Sequence, residues 1–204
     1  MAGKVTELDD IIGHVFFRAN TSFWRECCMS TVTRDSVPAD TLLVTYKGGR
    51  HPERWGRYAD CFSVSVERAV TLPEFVFAFY TSPPFKAERL VLRVLLGASS
   101  TDEQALALAT GTENSFAVWR VGDRTATQLL MCDRYERTRS WFRVVPLDNG
   151  STRMQFGSAV ADRSGPQGSR EMGSGFGLLL GFHVVYSKIL LRAASAGVTK
   201  IGAR

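Results

Sequence analysis

The hydrophobic and polar positions of the chain predict two early strands, then helices, then a run of strands and a final long helix. The segment from Tyr58 to Glu67 alternates between apolar and polar residues, which is typical of a strand with one buried face. The segment from Leu178 to Leu191 has no proline, only one glycine and apolar residues on most sides. It predicts a buried helix, within residues 173–197, that covers the concave face of a sheet.

Two of the predicted helices begin with the spacing of a capping box, in which a threonine is followed three residues later by Glu or Gln. These helices begin at Thr71 and Thr101, and the first is expected to end near Tyr80. Between them, the two prolines after Ser82 begin another helix, which we expect to end at Gly97 because glycine readily adopts the left-handed backbone conformation of a helix end.

Turn residues separate the remaining strands, which we expect to form an antiparallel meander. The predicted strands of the meander are Ser115–Val121, Arg124–Asp133, Thr138–Pro146 and Ser151–Asp162. A hairpin turn is expected at Gly122-Asp123 and a second turn at 147–150. An early short strand is predicted at Leu42 to Tyr46. Residues 1–35 fit no single period, so we interpret them as an N-terminal extension of a domain formed by residues 36–204.

Alternation along the meander assigns side chains to the two faces of the sheet. We expect the concave face to carry six apolar residues: Leu129, Met131, Phe142, Val144, Met154 and Phe156. Full burial of each such side chain is worth about 1.5–3 kcal/mol, so the set would decide which face turns inward. Arg139, Arg143 and Arg153 would then form a solvated basic stripe on the convex face.

The composition limits the classes of protein to consider. The chain has 204 residues, of which 45% are hydrophobic, so it can form one domain with a sizeable core. Its net charge of +5 comes from basic residues spread along the chain, which argues against a nucleic-acid partner. Because the apolar run of the final helix is short and is interrupted by His183, Ser187 and Lys188, no stable membrane insertion is expected.

Cysteine usage points to a reducing compartment. The four cysteines have no zinc-ligand spacing, and they are Cys27, Cys28, Cys61 and Cys132. The first 20 residues contain Asp9 and Asp10 and lack the apolar core of a signal peptide. We therefore expect reduced thiols and a cytoplasmic location.

The order strand, helices, antiparallel meander and long helix resembles the START and polyketide-cyclase-like (SRPBCC) superfamily. Its helix-grip fold wraps a bent antiparallel sheet around a long C-terminal helix. Two stretches look like a bacterial family of domains of unknown function within that superfamily: LLMCDRYERTRSWFRV at 129–144 and GFGLLLGFHVVYSKILLR at 175–192. Its Pro-Phe-His element is matched here by Gly181-Phe182-His183, with Gly in place of Pro. The resemblance covers residues 36–195 and implies an α+β helix-grip fold with a cavity, but no particular reaction.

His183 is the first candidate for chemistry because it is a titratable group within an apolar helix. Facing the sheet, it would act as a general base or as a hydrogen-bond donor to a ligand. The alternative is a core histidine bonded to a backbone carbonyl. Tyr186 on the same helix, with Asp133 and Arg134 at the mouth of the second meander strand, completes the predicted catalytic set. Alternatively, the block around Asp133 is the hydrated end of a hairpin.

The predicted ligand-binding residues are the six concave-face residues together with Trp119, Leu179 and Leu180. Trp119 offers an aromatic surface to a polycyclic ligand, with core packing as the alternative. No cofactor is predicted, because GSGFG at 173–177 follows a polar loop and not a strand. No metal site is predicted either, because His14, His51 and His183 are too scattered.

Three functions are compatible with these patterns. The first is binding of a small, largely apolar ligand, such as a lipid, a polyketide or an isoprenoid-like molecule, in a cavity between the sheet and the final helix. The second is a cofactor-independent cyclase, aromatase or dehydratase that acts on a polyketide-like substrate in the same cavity. The third is a ligand-free domain that serves assembly through its N-terminal extension. A small hydrophobic ligand is the expected partner, and a homodimer is left open.

Overall fold

The computed structural model describes residues 31–49, 58–161 and 174–201. Within these ranges the chain forms seven strands and five helices. Their α+β arrangement confirms the predicted fold class. In chain order the elements are β1 Thr33–Asp35, α1 Leu42–Thr45, β2 Tyr58–Val66, α2 Leu72–Tyr80, α3 Pro83–Leu96, α4 Asp102–Thr110, β3 Ser115–Phe116, β4 Trp119–Arg124, β5 Gln128–Asp133, β6 Thr138–Pro146, β7 Thr152–Val160 and α5 Ser174–Ile201.

All seven strands belong to one antiparallel sheet, in the order β1-β2-β7-β6-β5-β4-β3. The meander from β3 to β7 follows the chain, and β2 then pairs along its whole length with β7. This pairing places β2 beside the last strand of the meander, and β1 then pairs with the other edge of β2. The central strand is β6, whose bounds at Thr138 and Pro146 match the prediction.

Local signals place the helix ends where the sequence predicts them. The hydroxyl oxygen of Thr71 accepts a hydrogen bond from the backbone N–H of Glu74, and the Glu74 carboxylate accepts one from the backbone of Thr71. Thr101 and Gln104 repeat this capping box at the start of α4. Gly97, with φ of 64°, ends α3 in the left-handed conformation. Both boxes and this helix end confirm the predictions.

The main core lies between the sheet and helix α2. The Phe79 ring centroid lies 4.8 Å from that of Phe142 and 4.7 Å from that of Phe156, and Phe75 contacts Phe142 at 5.5 Å. The six residues predicted for the concave face all lie on this helix-facing side and are buried. Helix α5 packs on α2 and crosses β2 and β7. The sequence assigned the covering of the sheet to the final helix, whereas α2 covers the central strands.

A second, smaller core on the outer side of the sheet corrects two predictions. The segment expected to be a strand at Leu42 to Tyr46 forms the short helix α1, whose Leu42 and Leu43 pack with Trp141. The expected solvated stripe is also wrong at Arg139, which is 2% exposed and donates a hydrogen bond to the carbonyl of Gly48 at 2.8 Å. Helix α1 covers the outer side of the sheet here, because Trp141 makes that side of β6 apolar.

The turn predicted at Gly122-Asp123 is a bulge within a strand. The register between β4 and β5 shifts between Val121 and Asp123, and β4 continues to Arg124. The hairpin turn lies later, where the backbone N–H of Thr125 donates to the carbonyl of Gln128 at 2.8 Å. A Gly-Asp pair suits a bulge as well as a turn, so the local signal was assigned to the wrong feature.

The sheet begins before residue 36. Thr33 to Asp35 form its edge strand β1, and the Ser63 hydroxyl donates a 2.6 Å hydrogen bond to the Asp35 carboxylate. Residues 1–30 of the predicted extension lie outside the described residues. Over the parts of the chain that the structure describes, none of the helices has the length and hydrophobicity needed to span a membrane.

Candidate functional site

A row of polar side chains crosses the helix-facing side of the sheet next to the aromatic core. Asp60 on β2 pairs with Ser158 on β7, which pairs with Ser140 on β6. We call these three residues the polar row. Each lies two positions along its strand from the aromatic row of Phe62, Phe156 and Phe142, and therefore on the same face. On the helix-facing side, the side chains thus change from aromatic to polar within two residues along each of these strands.

Asp60 is the member of the polar row that accepts the most side-chain hydrogen bonds. Its carboxylate is fully buried and accepts three hydrogen bonds. The backbone N–H and the hydroxyl of Ser158 donate to Oδ1 at 3.0 and 2.8 Å, and the Tyr58 hydroxyl donates to Oδ2 at 2.7 Å. Burial, together with the hydrogen bond to Asp60, raises the pKa of Tyr58, so this hydroxyl keeps its proton and remains a donor. Three donors compensate the buried carboxylate for the loss of water.

His183 reaches the polar row from helix α5. Its Nε2 lies 2.5 Å from the Ser158 hydroxyl oxygen and 3.7 Å from Oδ2 of Asp60. Because Ser158 has one hydroxyl hydrogen and donates it to Asp60, its oxygen accepts from His183, which places a hydrogen on Nε2. Nδ1 makes no hydrogen bond within the described parts of the chain, and the His183 side chain is 36% exposed.

This geometry differs from that of a hydrolytic serine triad. In such a triad the histidine stands between the serine and the acid, and it takes the serine proton. Here Ser158 stands between His183 and Asp60, and its hydrogen points away from the imidazole. The arrangement therefore does not activate Ser158 as a nucleophile. Proton transfer to or from His183 is the chemistry that it can support.

A second titratable pair joins helices α3 and α5. The Tyr186 hydroxyl donates to the Glu88 carboxylate at 2.5 Å. Desolvation by burial raises the pKa of Glu88, although the hydrogen bond from Tyr186 acts in the opposite direction. Burial and the neighbouring Glu88 charge also raise the pKa values of Tyr186 and Tyr80. Tyr186 follows His183 by three residues, so both lie on neighbouring positions of one side of α5.

The Asp133 side chain stabilises the turn between β5 and β6. Its two carboxylate oxygens accept hydrogen bonds from the backbone N–H groups of Tyr135, Arg137 and Thr138. Arg134 is exposed and lies over the Tyr135 ring at 5.6 Å. These contacts give Asp133 a structural role, and the catalytic roles of Asp133 and Arg134 stay predictions.

The residues predicted to bind a ligand fall into two groups. Phe142, Phe156 and the other four concave-face residues pack with helix α2 in the main core. Trp119 is partly buried at one end of that core, with its ring centroid 6.0 Å from that of Phe85. The side chains of Leu179 and Leu180 lie outside the described part. Ligand binding by all of these residues stays a prediction.

Ser140 differs in exposure from the other two members of the polar row. It lies on the central strand, between Met131 of β5 and Ser158 of β7, which are buried. Ser140 itself is partly exposed. Helix α2 covers the adjacent aromatic row, and Ser140 is the member of the polar row that has solvent exposure.

An open groove of about 960 Å³ runs along the β1 edge of the sheet. Its lining is mostly polar and includes Asp35, Ser63, Gln155 and Arg153. Neither His183 nor any member of the polar row lines it. Its position and polarity are unlike those of the predicted apolar cavity.

Sequence reasoning missed Tyr58, Asp60, Ser158 and Glu88 as site residues. A signal for two of them was present, since Asp60 and Ser158 fall on the apolar faces of their alternating strands. A carboxylate at such a position needs partners once it is buried. The pairing of β2 with β7, which joins residues 98 positions apart, supplies them.

In the described parts of the chain, no three His, Cys, Asp or Glu side chains are grouped so that they could hold a metal ion. Comparison with protein-family models found none that matches the chain, and a search of curated proteins found no match.

Proposed function

We propose that the protein binds a small, largely apolar ligand that carries a polar group, between the helix-facing side of the sheet and helix α5. The observation that carries this proposal is the partial exposure of Ser140 on the central strand, directly beside the buried ring of Phe142. A ligand seated there would meet aromatic carbon on one side and hydroxyl and imidazole groups on the other. Apolar sites with a few placed polar groups are typical of small-molecule binding.

The proposal includes a helix-grip fold of the START and polyketide-cyclase-like type. An open antiparallel sheet and a long C-terminal helix that crosses β2 and β7 support it. The proposal also includes a cytoplasmic location, which the free thiols of Cys61 and Cys132 support. A lipid, a polyketide or an isoprenoid-like molecule has the required character.

A second candidate function is cofactor-independent acid–base catalysis, of the cyclase, aromatase or dehydratase kind, on the same ligand. It is favoured by one specific observation, the buried Asp60 carboxylate beneath His183. A carrier of a purely apolar molecule has no need of a buried charge at its binding site, because burying a charge is costly. Tyr186, on the same helix as His183, and Glu88 on α3 add a further titratable pair.

The test combines native mass spectrometry of protein purified from its own cells with titration of N-phenyl-1-naphthylamine, an uncharged apolar fluorescent probe. We expect a co-purifying small molecule and saturable probe binding. Ser140→Trp should fill the proposed site and weaken probe binding at least tenfold. The matched control is Ser65→Trp, because Ser65 is an exposed serine on the opposite face of β2.

Two results would overturn ligand binding. One is a wild-type protein with neither a co-purifying mass nor saturable probe binding, which would support the ligand-free assembly domain instead. The other is equal probe binding by the wild type and by a folded Ser140→Trp variant, which would place the ligand elsewhere.

A further inference from the structure

We propose that Asp60, Ser158 and His183 form a proton relay in which the Ser158 hydroxyl connects the imidazole to the buried carboxylate. The chemical use of the relay rests on the proposed function, because it needs a ligand beside His183. The relay itself is a property of the folded chain. Asp60, Ser158 and Tyr58 are three residues that the sequence did not assign to the site.

The resting state of the relay follows from counting hydrogens. Oδ1 of Asp60 accepts from two groups of Ser158, the backbone N–H and the hydroxyl. With its only hydroxyl hydrogen used, Ser158 accepts from Nε2–H of His183. A neutral imidazole has one hydrogen, so Nδ1 carries a lone pair. The relay therefore fixes His183 in the tautomer whose Nδ1 is free to act as a base.

The proton movements balance without any other reactant. A ligand proton on a carbon next to a carbonyl group moves to Nδ1 of His183, and the ligand becomes an enolate. The Nε2 hydrogen then moves to the Ser158 oxygen while the Ser158 hydrogen moves to Oδ1 of Asp60. His183 ends neutral with its hydrogen on Nδ1, Asp60 ends as a neutral acid, and the negative charge has moved to the ligand. Reversal of these steps returns a proton to the ligand.

Two features favour this pathway over exchange with water. The side chains of Asp60 and Ser158 are buried, so the two inner members of the relay are shielded from solvent. Tyr58 occupies Oδ2 of Asp60, which leaves Oδ1 directed at Ser158. Among the three relay members, His183 alone has a substantially exposed side chain, and it is where a ligand can meet the relay.

The resting state is tested by ¹⁵N nuclear magnetic resonance of histidine-labelled protein at neutral pH, with the His183 signals assigned from His183→Gln. We expect protonated Nε2 and unprotonated Nδ1 in the wild type. Ser158→Ala should change the tautomer ratio because Nε2–H loses its acceptor, and Ser158→Thr should restore it because it keeps the hydroxyl. Ser140→Ala is the control, since it removes a hydroxyl of the polar row that the relay does not use. A wild-type tautomer with the hydrogen on Nδ1 would overturn the relay, as would a folded Ser158→Ala variant with an unchanged ratio.

The chemical role is tested by deuterium uptake from D₂O into 2-decanone, an apolar ketone. The wild type should accelerate uptake above the buffer rate. Asp60→Asn should reduce this acceleration at least tenfold while keeping the tautomer, because an amide oxygen can accept from Ser158 but cannot take up the proton. Ser65→Ala should retain at least half of the acceleration, because Ser65 is an exposed serine on the opposite face of β2. Absence of acceleration by the wild type, or equal acceleration by Asp60→Asn, would overturn the catalytic use of the relay. Failure of the proposed function is seen separately, in the titration of the apolar probe.

Discussion

The main-chain carbonyl oxygen of Asp60 occupies the space that a Cβ atom on Gly157 would need. A Cβ built on Gly157 would lie 2.6 Å from that oxygen and 3.0 Å from the indole ring of Trp141. The absence of a side chain therefore lets β7 approach β2 and Trp141 closely. Because the same Asp60 carries the carboxylate of the polar row, Gly157 also sets the position of the candidate site.

Gly157→Ala is expected to lower the free energy of unfolding by about 1–3 kcal/mol, as overpacking of a tight core does. Chemical denaturation of the wild type and the variant measures this loss. Trp141→Phe should not rescue it, because the nearest obstructing atom belongs to the main chain of β2. A double-mutant cycle with Trp141→Phe separates the two contacts. Wild-type stability of Gly157→Ala would show that β2 and β7 are not held this closely.

Phe79 is expected to be a major stabilising residue of the main core. Its ring contacts those of Phe142 and Phe156, and its side chain is 2% exposed. Truncation of a buried phenylalanine to alanine typically costs about 3–5 kcal/mol, because burial is lost and a cavity remains. Phe79→Ala should therefore lose a large fraction of the stability of an ordinary domain, which is about 5–15 kcal/mol, and thermal and chemical denaturation would detect the loss.

Phe77 provides a control for Phe79 on the same helix. It has the same side chain but is only partly buried, so Phe77→Ala should cost less than half as much. Equal losses of unfolding free energy in the two variants would contradict the packing of Phe79 against the sheet. The comparison cancels the change in helix propensity, because both substitutions are Phe to Ala within α2.

The contribution of Glu88 to the stability of the protein should fall as the pH rises above the ordinary pKa of a glutamate. Burial raises the pKa of Glu88 above its usual value of 4.5, so the folded state holds this proton more tightly than the unfolded state does. The contribution is fully present below pH 4.5, and it is lost as the pH passes through the raised pKa. Glu88→Gln should remove this part of the pH dependence and make the variant relatively more stable at neutral pH.

Denaturation midpoints of the wild type and Glu88→Gln, measured from pH 4 to pH 8, check this prediction. Glutamine keeps an oxygen that can accept the hydrogen bond from Tyr186. Glu113→Gln is the control, because Glu113 is an exposed glutamate. A constant difference between wild type and Glu88→Gln at every pH would show that Glu88 titrates normally in the folded protein.

The sequence predicted most features that depend on neighbouring residues. The capping boxes at Thr71 and Thr101, the end of α3 at Gly97 and the bounds of β6 were all predicted correctly. These features depend on residues a few positions apart, where the chemistry of a cap or the alternation of a strand is sufficient. The faces of β5, β6 and β7 were predicted for the same reason.

Features that depend on distant residues were not predicted. The apolar run at Leu42 and Leu43 was interpreted as a strand, because a short apolar run is ambiguous until its packing partner is known. That partner, Trp141, is about 100 residues later in the chain. Likewise, the sequence placed Asp60 and Ser158 on apolar faces, but alternation within each strand does not determine which residue of β7 lies opposite Asp60.

The pairing of Asp60 with Ser158 also favours the native register of β2 against β7. A slip of β2 against β7 by two residues would leave every apolar side chain on its proper face, so hydrophobic burial alone discriminates weakly against it. Such a slip would, however, place the Asp60 carboxylate opposite Phe156 or Val160 and leave it without the Ser158 hydroxyl. The Asp60 carboxylate of the candidate site thus also destabilises the sheet in which β2 is shifted by two residues against β7.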